Sequence, residues 1–195
     1  MAKALRIELM PDEKTRLASA GTVNPEAYDA YLKGSYHWQK QTPMDQDTAQ
    51  RYFELALEKD PSYAPAHAGL AWVWSTRQQM GITAPREAGP KAREAAFKAI
   101  ELDGDDAGSR EALALVKTWT DWDWEGAEPE WRRALELNAN SANTQAYFAS
   151  FLTVVGRPEE ALRHADTAVG LDPINPQLPA RYAPGLTDRN SQRLK

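Results

Sequence analysis

Acidic residues alternate with tryptophans in segment 121–126. This segment suggests a metal site more strongly than any other part of the chain. Such alternation before a glycine is typical of calcium-binding loops. The EF-hand loop, however, needs a bidentate glutamate at its twelfth position, and here that position holds Arg132. The structural alternative places Trp122 and Trp124 between helices. Their acidic neighbours would then lie near the N-terminus of the next helix, whose dipole favours negative charge. We therefore predict no metal site in this segment.

Other catalytic or ligand-binding chemistry is also not indicated. The three histidines, His37, His67 and His164, are far apart and show no paired-ligand spacing, so we expect structural or surface roles for them. The chain contains no nucleophile-elbow, phosphate-loop or dinucleotide-binding motif. Its carboxylates are spread along helix faces. The sequence predicts a protein that is not an enzyme, with no catalytic, metal or cofactor residues.

Composition narrows the possible partners. The net charge of -5 and the lack of a basic stripe argue against a nucleic-acid surface. No apolar stretch reaches the roughly 18 residues needed to cross a bilayer, so no membrane association is expected. There is no cysteine, and the start of the chain is too charged for a signal peptide. A cytoplasmic protein is the expectation.

A six-residue phrase recurs four times, which indicates a chain built from repeats. It reads ALEKDP, AIELDG, ALELNA and AVGLDP, and its leading alanines are separated by 43, 35 and 34 residues. Two further sets of alanines keep the same steps. The three sets are Ala56, Ala99, Ala134 and Ala168; Ala49, Ala92, Ala127 and Ala161; and Ala71, Ala114, Ala149 and Ala183. Self-similarity near 34 residues predicts a stacked repeat array.

Each repeat is predicted to form two helices, because its apolar residues recur at helical spacing and no segment resembles a strand. The pairs are expected over 25–61, 64–104, 107–139 and 142–175. Residues 1–23 would form a leading helix or linker. Residues 176–195 would form a truncated fifth repeat or a disordered tail, since three prolines there allow little helix.

Several local features of the array follow from residue type. About nine extra residues between Trp74 and Ala92 are expected to form a long loop within the second pair, and one extra residue falls near segment 121–126. Asp106 is a predicted helix cap, and Gly156 and Pro158 are predicted to end one helix and begin the next. The core is predicted to include Trp74 and Trp131.

The pattern resembles the tetratricopeptide repeat family. In that family each repeat forms two antiparallel helices over 34 residues, with small residues where the helices cross. The fourth repeat matches without an insertion, through Ala149, Gly156, Ala161, Ala168 and Pro173. The resemblance covers about 150 of the 195 residues and implies an all-α solenoid of about four helix pairs, with a leading helix and an irregular tail. Gly104 and Ala139 depart from it, since the family usually has proline there.

A narrower resemblance is to tetratricopeptide regions of bacterial signalling proteins, where the array follows a winged-helix, cyclase or Ser/Thr kinase domain. It is carried by segments 24–38, 121–138 and 156–173. This resemblance implies that the chain is the interaction or regulatory half of such a protein.

The register places candidate partner-binding residues on the concave groove that the first helices form in this family. The candidates are Tyr31, Ser35, Trp38, Trp72, Thr76, Glu111, Leu115, Trp119, Ser150 and Thr153. Aromatic side chains make good anchors in a groove. The alternative is that Trp72 and Trp119 only cover seams between repeats. The basic and asparagine clamp of family members that hold chaperone tails is missing at these positions, so a less charged, partly apolar ligand is favoured.

These observations predict a non-catalytic module that binds a partner peptide or helix in its concave groove. Two alternatives remain open. One is a regulatory or sensor half of a bacterial transcription regulator, cyclase or kinase. The other is a self-associating scaffold, because the last repeat lacks a full polar cap. As a soluble module, the chain is expected to be a monomer or a weak homo-oligomer.

Overall fold

Residues 24–175 of the 195-residue chain are described by a computed structural model, and they form an all-α solenoid. The eight α-helices pair as α1–α2, α3–α4, α5–α6 and α7–α8, and each pair packs on the next. Their bounds are α1 Pro25–Lys40, α2 Pro43–Lys59, α3 Ala64–Gln79, α4 Pro85–Leu102, α5 Ala107–Val116, α6 Trp124–Leu137, α7 Ala142–Val154 and α8 Pro158–Leu171. This confirms the predicted fold. The predicted leading helix and fifth repeat lie outside the described residues.

Local sequence explains where the helices begin and end. The predicted cap Asp106 accepts a hydrogen bond from the amide of Ser109 at 2.7 Å, so it satisfies one of the free donors at the start of α5. Gly156 adopts a φ of 78°, as a residue after a helix end often does, and Pro158 begins α8. Both predictions are confirmed.

The three sets of alanines are buried, which confirms the repeat register. All eleven described members expose no more than 1% of their surface. They allow close helix approach in a core that also holds the side chains of Phe53, Trp131 and Phe148. Trp131 is fully buried, as predicted, whereas Trp74 is half-buried at the core edge beneath the ammonium of Lys91, which lies 4.2 Å from the ring centroid.

The predicted long loop in the second pair is wrong. Helix α3 continues to Gln79 and α4 already begins at Pro85, so the extra residues mostly lengthen these two helices. Pro90 lies inside α4, where its missing amide removes one helical hydrogen bond. The added turn is nevertheless retained because it buries Ala88 completely and packs Gly89 towards Thr120. Tertiary burial here outweighs the helix-breaking signal.

The single extra residue of the third repeat is absorbed by a π-helical turn, Lys117–Asp121, that continues α5. A one-residue insertion in an α-helix widens the local turn in this way. Thr118 is buried there and accepts a hydrogen bond from the indole nitrogen of Trp131 at 3.0 Å. The turn is further held by Glu130, which binds Lys117 at 3.0 Å and Arg110 at 2.9 Å.

The prediction that Trp122 and Trp124 pack between helices is wrong. They expose 64% and 40% of their surface and contact each other edge to face, with ring centroids 6.3 Å apart. The fully buried tryptophan of this helix pair is Trp131, which donates a hydrogen bond to the buried Thr118. The acidic residues do lie at a helix start, because Asp123 caps α6 through the amide of Gly126. Within residues 24–175, no helix is long and apolar enough to cross a membrane.

Candidate functional site

Two adjoining cavities lie on the inner face, which is formed by the first helix of each pair. Every predicted groove residue lines one of them. The apolar cavity, of about 380 Å³, lies at the C-terminal ends of the inner helices, and its predicted lining residues are Thr76, Leu115, Trp119, Ser150 and Thr153. The acidic cavity, of about 390 Å³, lies near their N-terminal ends, and its predicted lining residues are Tyr31, Ser35, Trp38, Trp72 and Glu111.

An aromatic wall, formed by Trp38, Trp72 and Tyr147, separates the two cavities. The rings of Trp38 and Trp72 have centroids 5.1 Å apart, and the centroid of the Tyr147 ring lies 6.2 Å from that of Trp38. The indole nitrogen of Trp38 donates a hydrogen bond to the hydroxyl of Thr76 at 3.1 Å. The wall therefore joins the first pair to the fourth and divides the predicted groove.

The two wall tryptophans are largely buried, with Trp38 exposing 2% and Trp72 exposing 7% of their surface. Trp72 packs against Trp38 of the preceding pair and also lines the acidic cavity. It thus combines the seam position and the groove position that the sequence left as alternatives. Trp119 differs, because it is half-buried and faces the apolar cavity from the π-helical turn.

The apolar cavity owes its character to side chains from three inner helices and the π-helical turn. Leu115 is almost fully buried in its wall, whereas Met80 and Val154 at the rim expose 40% and 41% of their surface. The hydroxyls of Ser150 and Thr153 bind carbonyl oxygens one turn earlier in their own helix. Since these hydroxyls are satisfied within α7, the cavity is suited to an apolar group.

The acidic cavity contains two carboxylates near the start of α5. Glu111 exposes only 6% of its surface and accepts a hydrogen bond from the hydroxyl of Thr144. Burial raises the pKa of Asp106, although its hydrogen bonds from Ser109 act in the opposite direction. Burial also raises the pKa of the Tyr31 phenol, to about 12. Burial is the main cause of both shifts.

Sequence reasoning missed Tyr147, which contacts Trp38 within the wall and also contacts Trp131. The repeat register could have identified Tyr147, because this residue occupies the position that Gly69 holds in the second pair and Ala112 holds in the third. A large aromatic at a position that is small in the second and third pairs is a signal that this side chain makes an additional contact. Sequence reasoning also missed Met80, at the rim of the apolar cavity, because the insertion in the second pair predicted a loop at this position.

Comparison with solved structures agrees with the observed fold. The tetratricopeptide-repeat protein TTC0263 of Thermus thermophilus superposes with a TM-score of 0.65 at 17% sequence identity. The superposition covers 89% of this chain and 87% of that protein. At this identity the match establishes the fold alone, which is the tetratricopeptide-repeat solenoid.

Sequence comparison finds relatives that are much longer than this chain. The transcriptional regulator HilA of Salmonella typhimurium is 28% identical over 157 residues, which are 80% of this chain and 27% of HilA. Putative adenylate cyclase 3 of Rhizobium meliloti is 34% identical over 122 residues, which are 61% of this chain and 20% of the cyclase. The chain therefore spans about a quarter or less of either relative. No family model matches the sequence.

Proposed function

We propose that this chain is a non-catalytic interaction module that binds a polypeptide segment of a partner protein along its inner face. The apolar cavity carries this proposal. Its volume of about 380 Å³ falls within the usual range for ligand pockets, and it places the half-buried Trp119 at a site where several inner helices meet. A partner's apolar side chain would remove Trp119 and Met80 from water, which is the main source of affinity in such contacts.

Filling the apolar cavity tests this proposal. Thr153→Trp adds a large side chain at the cavity wall, so binding of the partner segment should weaken at least tenfold. Thr167→Trp on α8 is the matched control, because both hydroxyls bind the carbonyl four residues earlier at 2.9 Å and Thr167 is exposed elsewhere. Partners captured by the unmodified chain and identified by mass spectrometry would be purified and their affinities measured by calorimetry.

The result depends on a comparison of equally folded variants. Circular dichroism should show that both remain helical with similar melting temperatures. The proposal is supported if Thr153→Trp loses binding and Thr167→Trp retains it. The additional variant Trp119→Ala should also bind more weakly. Equal affinities for Thr153→Trp and Thr167→Trp would show that partners bind another surface.

A second candidate, regulation of an attached effector, is favoured by the two relatives. The aligned segments belong to a transcriptional regulator and to a putative adenylate cyclase, whose other parts this chain does not match. We propose that the array can transmit partner binding to such an effector. Replacing the aligned segment of HilA by this chain would test this in a transcription reporter. A chimera whose output responds to Thr153→Trp but not to Thr167→Trp supports the proposal, and a stable chimera with identical output from both argues against it.

A further inference from the structure

The apolar cavity is lined by no charged side chain of the described residues, and its aliphatic hydroxyl groups are already bonded. The hydroxyl of Thr76 accepts a hydrogen bond from Trp38 at 3.1 Å. Those of Ser150 and Thr153 bind carbonyl oxygens within α7. A charged ligand group would lose its hydration in this cavity without gaining a charged partner. The cavity therefore suits an uncharged, apolar side chain.

Two side-chain amides at the same cavity are available to a ligand. Gln41 and Gln79 both line it, and neither side chain makes a hydrogen bond within residues 24–175. A primary amide both donates and accepts, so it can pair with the N–H and C=O groups of a peptide backbone. Gln79 is the exposed last residue of α3, where a polar side chain is common. Gln41, in contrast, occupies a position at which its residue type is unfavourable.

Gln41 has a left-handed backbone conformation, with a φ of 53°. Among the described residues, each of the four turns within a helix pair contains one residue in this conformation, and these are Gln41, Gly81, Trp122 and Gly156. Glycine adopts it without steric cost, whereas a residue with a Cβ is strained because this atom approaches the following carbonyl oxygen. The end of α1 thus explains the conformation of Gln41, but it does not explain why the residue is a glutamine.

Strained residues cluster at binding sites, where the side chain serves the ligand. Gln41 fits this description because it combines backbone strain, an unbonded amide and a place in the lining of the apolar cavity. Trp122 shares the strain but lines neither cavity. The lining amide therefore gives Gln41 a role that the turn alone does not require.

The shape of the inner face favours an extended segment over a helix. A helix with its side chains is about 10–12 Å across, and the aromatic wall stands between the two cavities where such a helix would lie. Its backbone groups are also bonded to each other and could not pair with Gln41. In an extended segment these groups are free and successive side chains point to opposite faces. One side chain can then enter the cavity while its peptide group stays at the rim.

We propose that the side-chain amide of Gln41 binds the backbone of an extended partner segment, whose uncharged, apolar side chain fills the apolar cavity. This inference rests on the proposed function and specifies the conformation and the side chain of the bound segment. Glutamine is retained at a strained position because the contact with the segment requires its amide.

Short synthetic peptides test which side chain the cavity accepts. The probes are acetylated, amidated pentapeptides with alanine at four positions and leucine, phenylalanine, glutamate or lysine at the centre. Binding would be followed by the NMR shift of the Trp119 indole proton, assigned with Trp119→Phe. The leucine or the phenylalanine peptide should bind at least tenfold more tightly than either charged peptide, because the cavity offers a charge no partner.

An ester replacement in the tighter apolar peptide tests the backbone contact. Replacing a peptide N–H beside the central residue by an ester oxygen removes a donor and keeps the side chain. One of the two ester peptides should bind the unmodified chain at least threefold more weakly than the parent peptide. In Gln41→Gly this difference should disappear, and the parent peptide itself should bind at least threefold more weakly. Gln41→Gly should melt at the same or a higher temperature, because glycine is not strained at this position.

Trp122→Gly is the matched control for the change in the turn. It replaces the other strained residue by glycine, in the third pair and outside both cavities. Its affinity for the parent peptide should equal that of the unmodified chain. Weaker binding by Gln41→Gly but not by Trp122→Gly, without loss of stability, supports the Gln41 contact.

The outcomes separate this inference from the proposed function. Equal binding by Gln41→Gly and the unmodified chain, or an ester penalty that persists in Gln41→Gly, would overturn the Gln41 contact. Equal binding of apolar and charged peptides, or no binding by any peptide, would overturn the extended-segment site. In each case a captured partner that still fails to bind Thr153→Trp leaves the interaction module intact, whereas a partner that binds Thr153→Trp normally rejects the proposed function.

Discussion

Replacing Gly69 with alanine tests how tightly the first two helix pairs pack. An alanine Cβ at Gly69 would lie 2.5 Å from Cε1 of Phe53, and one at Gly34 would lie 2.7 Å from the same atom. Neither glycine has a positive φ. These positions therefore require glycine for space, because the fully buried Phe53 ring lies against both backbones.

The expected magnitude combines two opposing effects. In a helix interior, alanine is more stabilising than glycine by about 0.5–1 kcal/mol. Forcing an extra methyl group against a packed ring costs about 1–3 kcal/mol. Gly69→Ala should therefore lower the free energy of unfolding by up to about 2.5 kcal/mol. Gly170→Ala is the control, since no heavy atom lies within 4 Å of its added Cβ, and it should be neutral or slightly stabilising.

Urea unfolding followed by circular dichroism measures both variants, and a double-mutant cycle identifies the cause. In a Phe53→Leu background the ring is gone, so the penalty at Gly69 should largely disappear and the coupling should be about 1–3 kcal/mol. If Gly69→Ala stabilises the chain as Gly170→Ala does, or if its penalty is the same without the ring, the packing explanation is refuted.

Three further predictions concern the core, a half-buried histidine and a half-buried carboxylate. Ala134→Phe and Ala161→Leu should each lower the melting temperature at a cost of about 1–3 kcal/mol, since both alanines are fully buried, and unchanged melting would contradict the register. Burial lowers the pKa of His164 below its ordinary 6.5, so stability should fall as the pH drops through 6.5 towards the folded-state pKa. Urea titrations at several pH values should show that His164→Gln removes this dependence of the free energy of unfolding on pH. Burial alone would raise the pKa of Glu130, but hydrogen bonds from Arg110 and Lys117 outweigh it and hold that pKa below 4.5. The stabilising contribution of Glu130 is thus present above pH 4.5 and is lost as the pH falls through the lowered pKa of this carboxyl. Glu130→Gln should cost about 1–3 kcal/mol at neutral pH and show a smaller loss on acidification.

The sequence predicted the repeat fold well because its main signal is periodic. Buried alanines occur at fixed steps, and a solenoid imposes the same packing on each repeat. Helix ends were also predictable where a cap or a proline determines them, as at Asp106 and Pro158.

Features set by contacts between repeats were less predictable. Proline and glycine in segment 80–90 suggested a loop, yet the burial of Ala88 keeps α4 helical there. The candidate residues selected by register line the two cavities of the inner face, but register could not show the aromatic wall between them. That wall depends on Tyr147 meeting Trp38, two residues separated by more than a hundred positions along the sequence.

The aromatic wall also has a consequence for how the array unfolds. In an ideal solenoid each repeat touches only its neighbours, so the ends fray independently and stability is a sum of local contributions. Here the tilted ring contact between Trp38 and Tyr147 links the first pair to the fourth across the two pairs between them. Melting of one end therefore removes support from the other. The four pairs should open as a single cooperative unit, with amide hydrogens of the terminal inner helices α1 and α7 exchanging at similar rates.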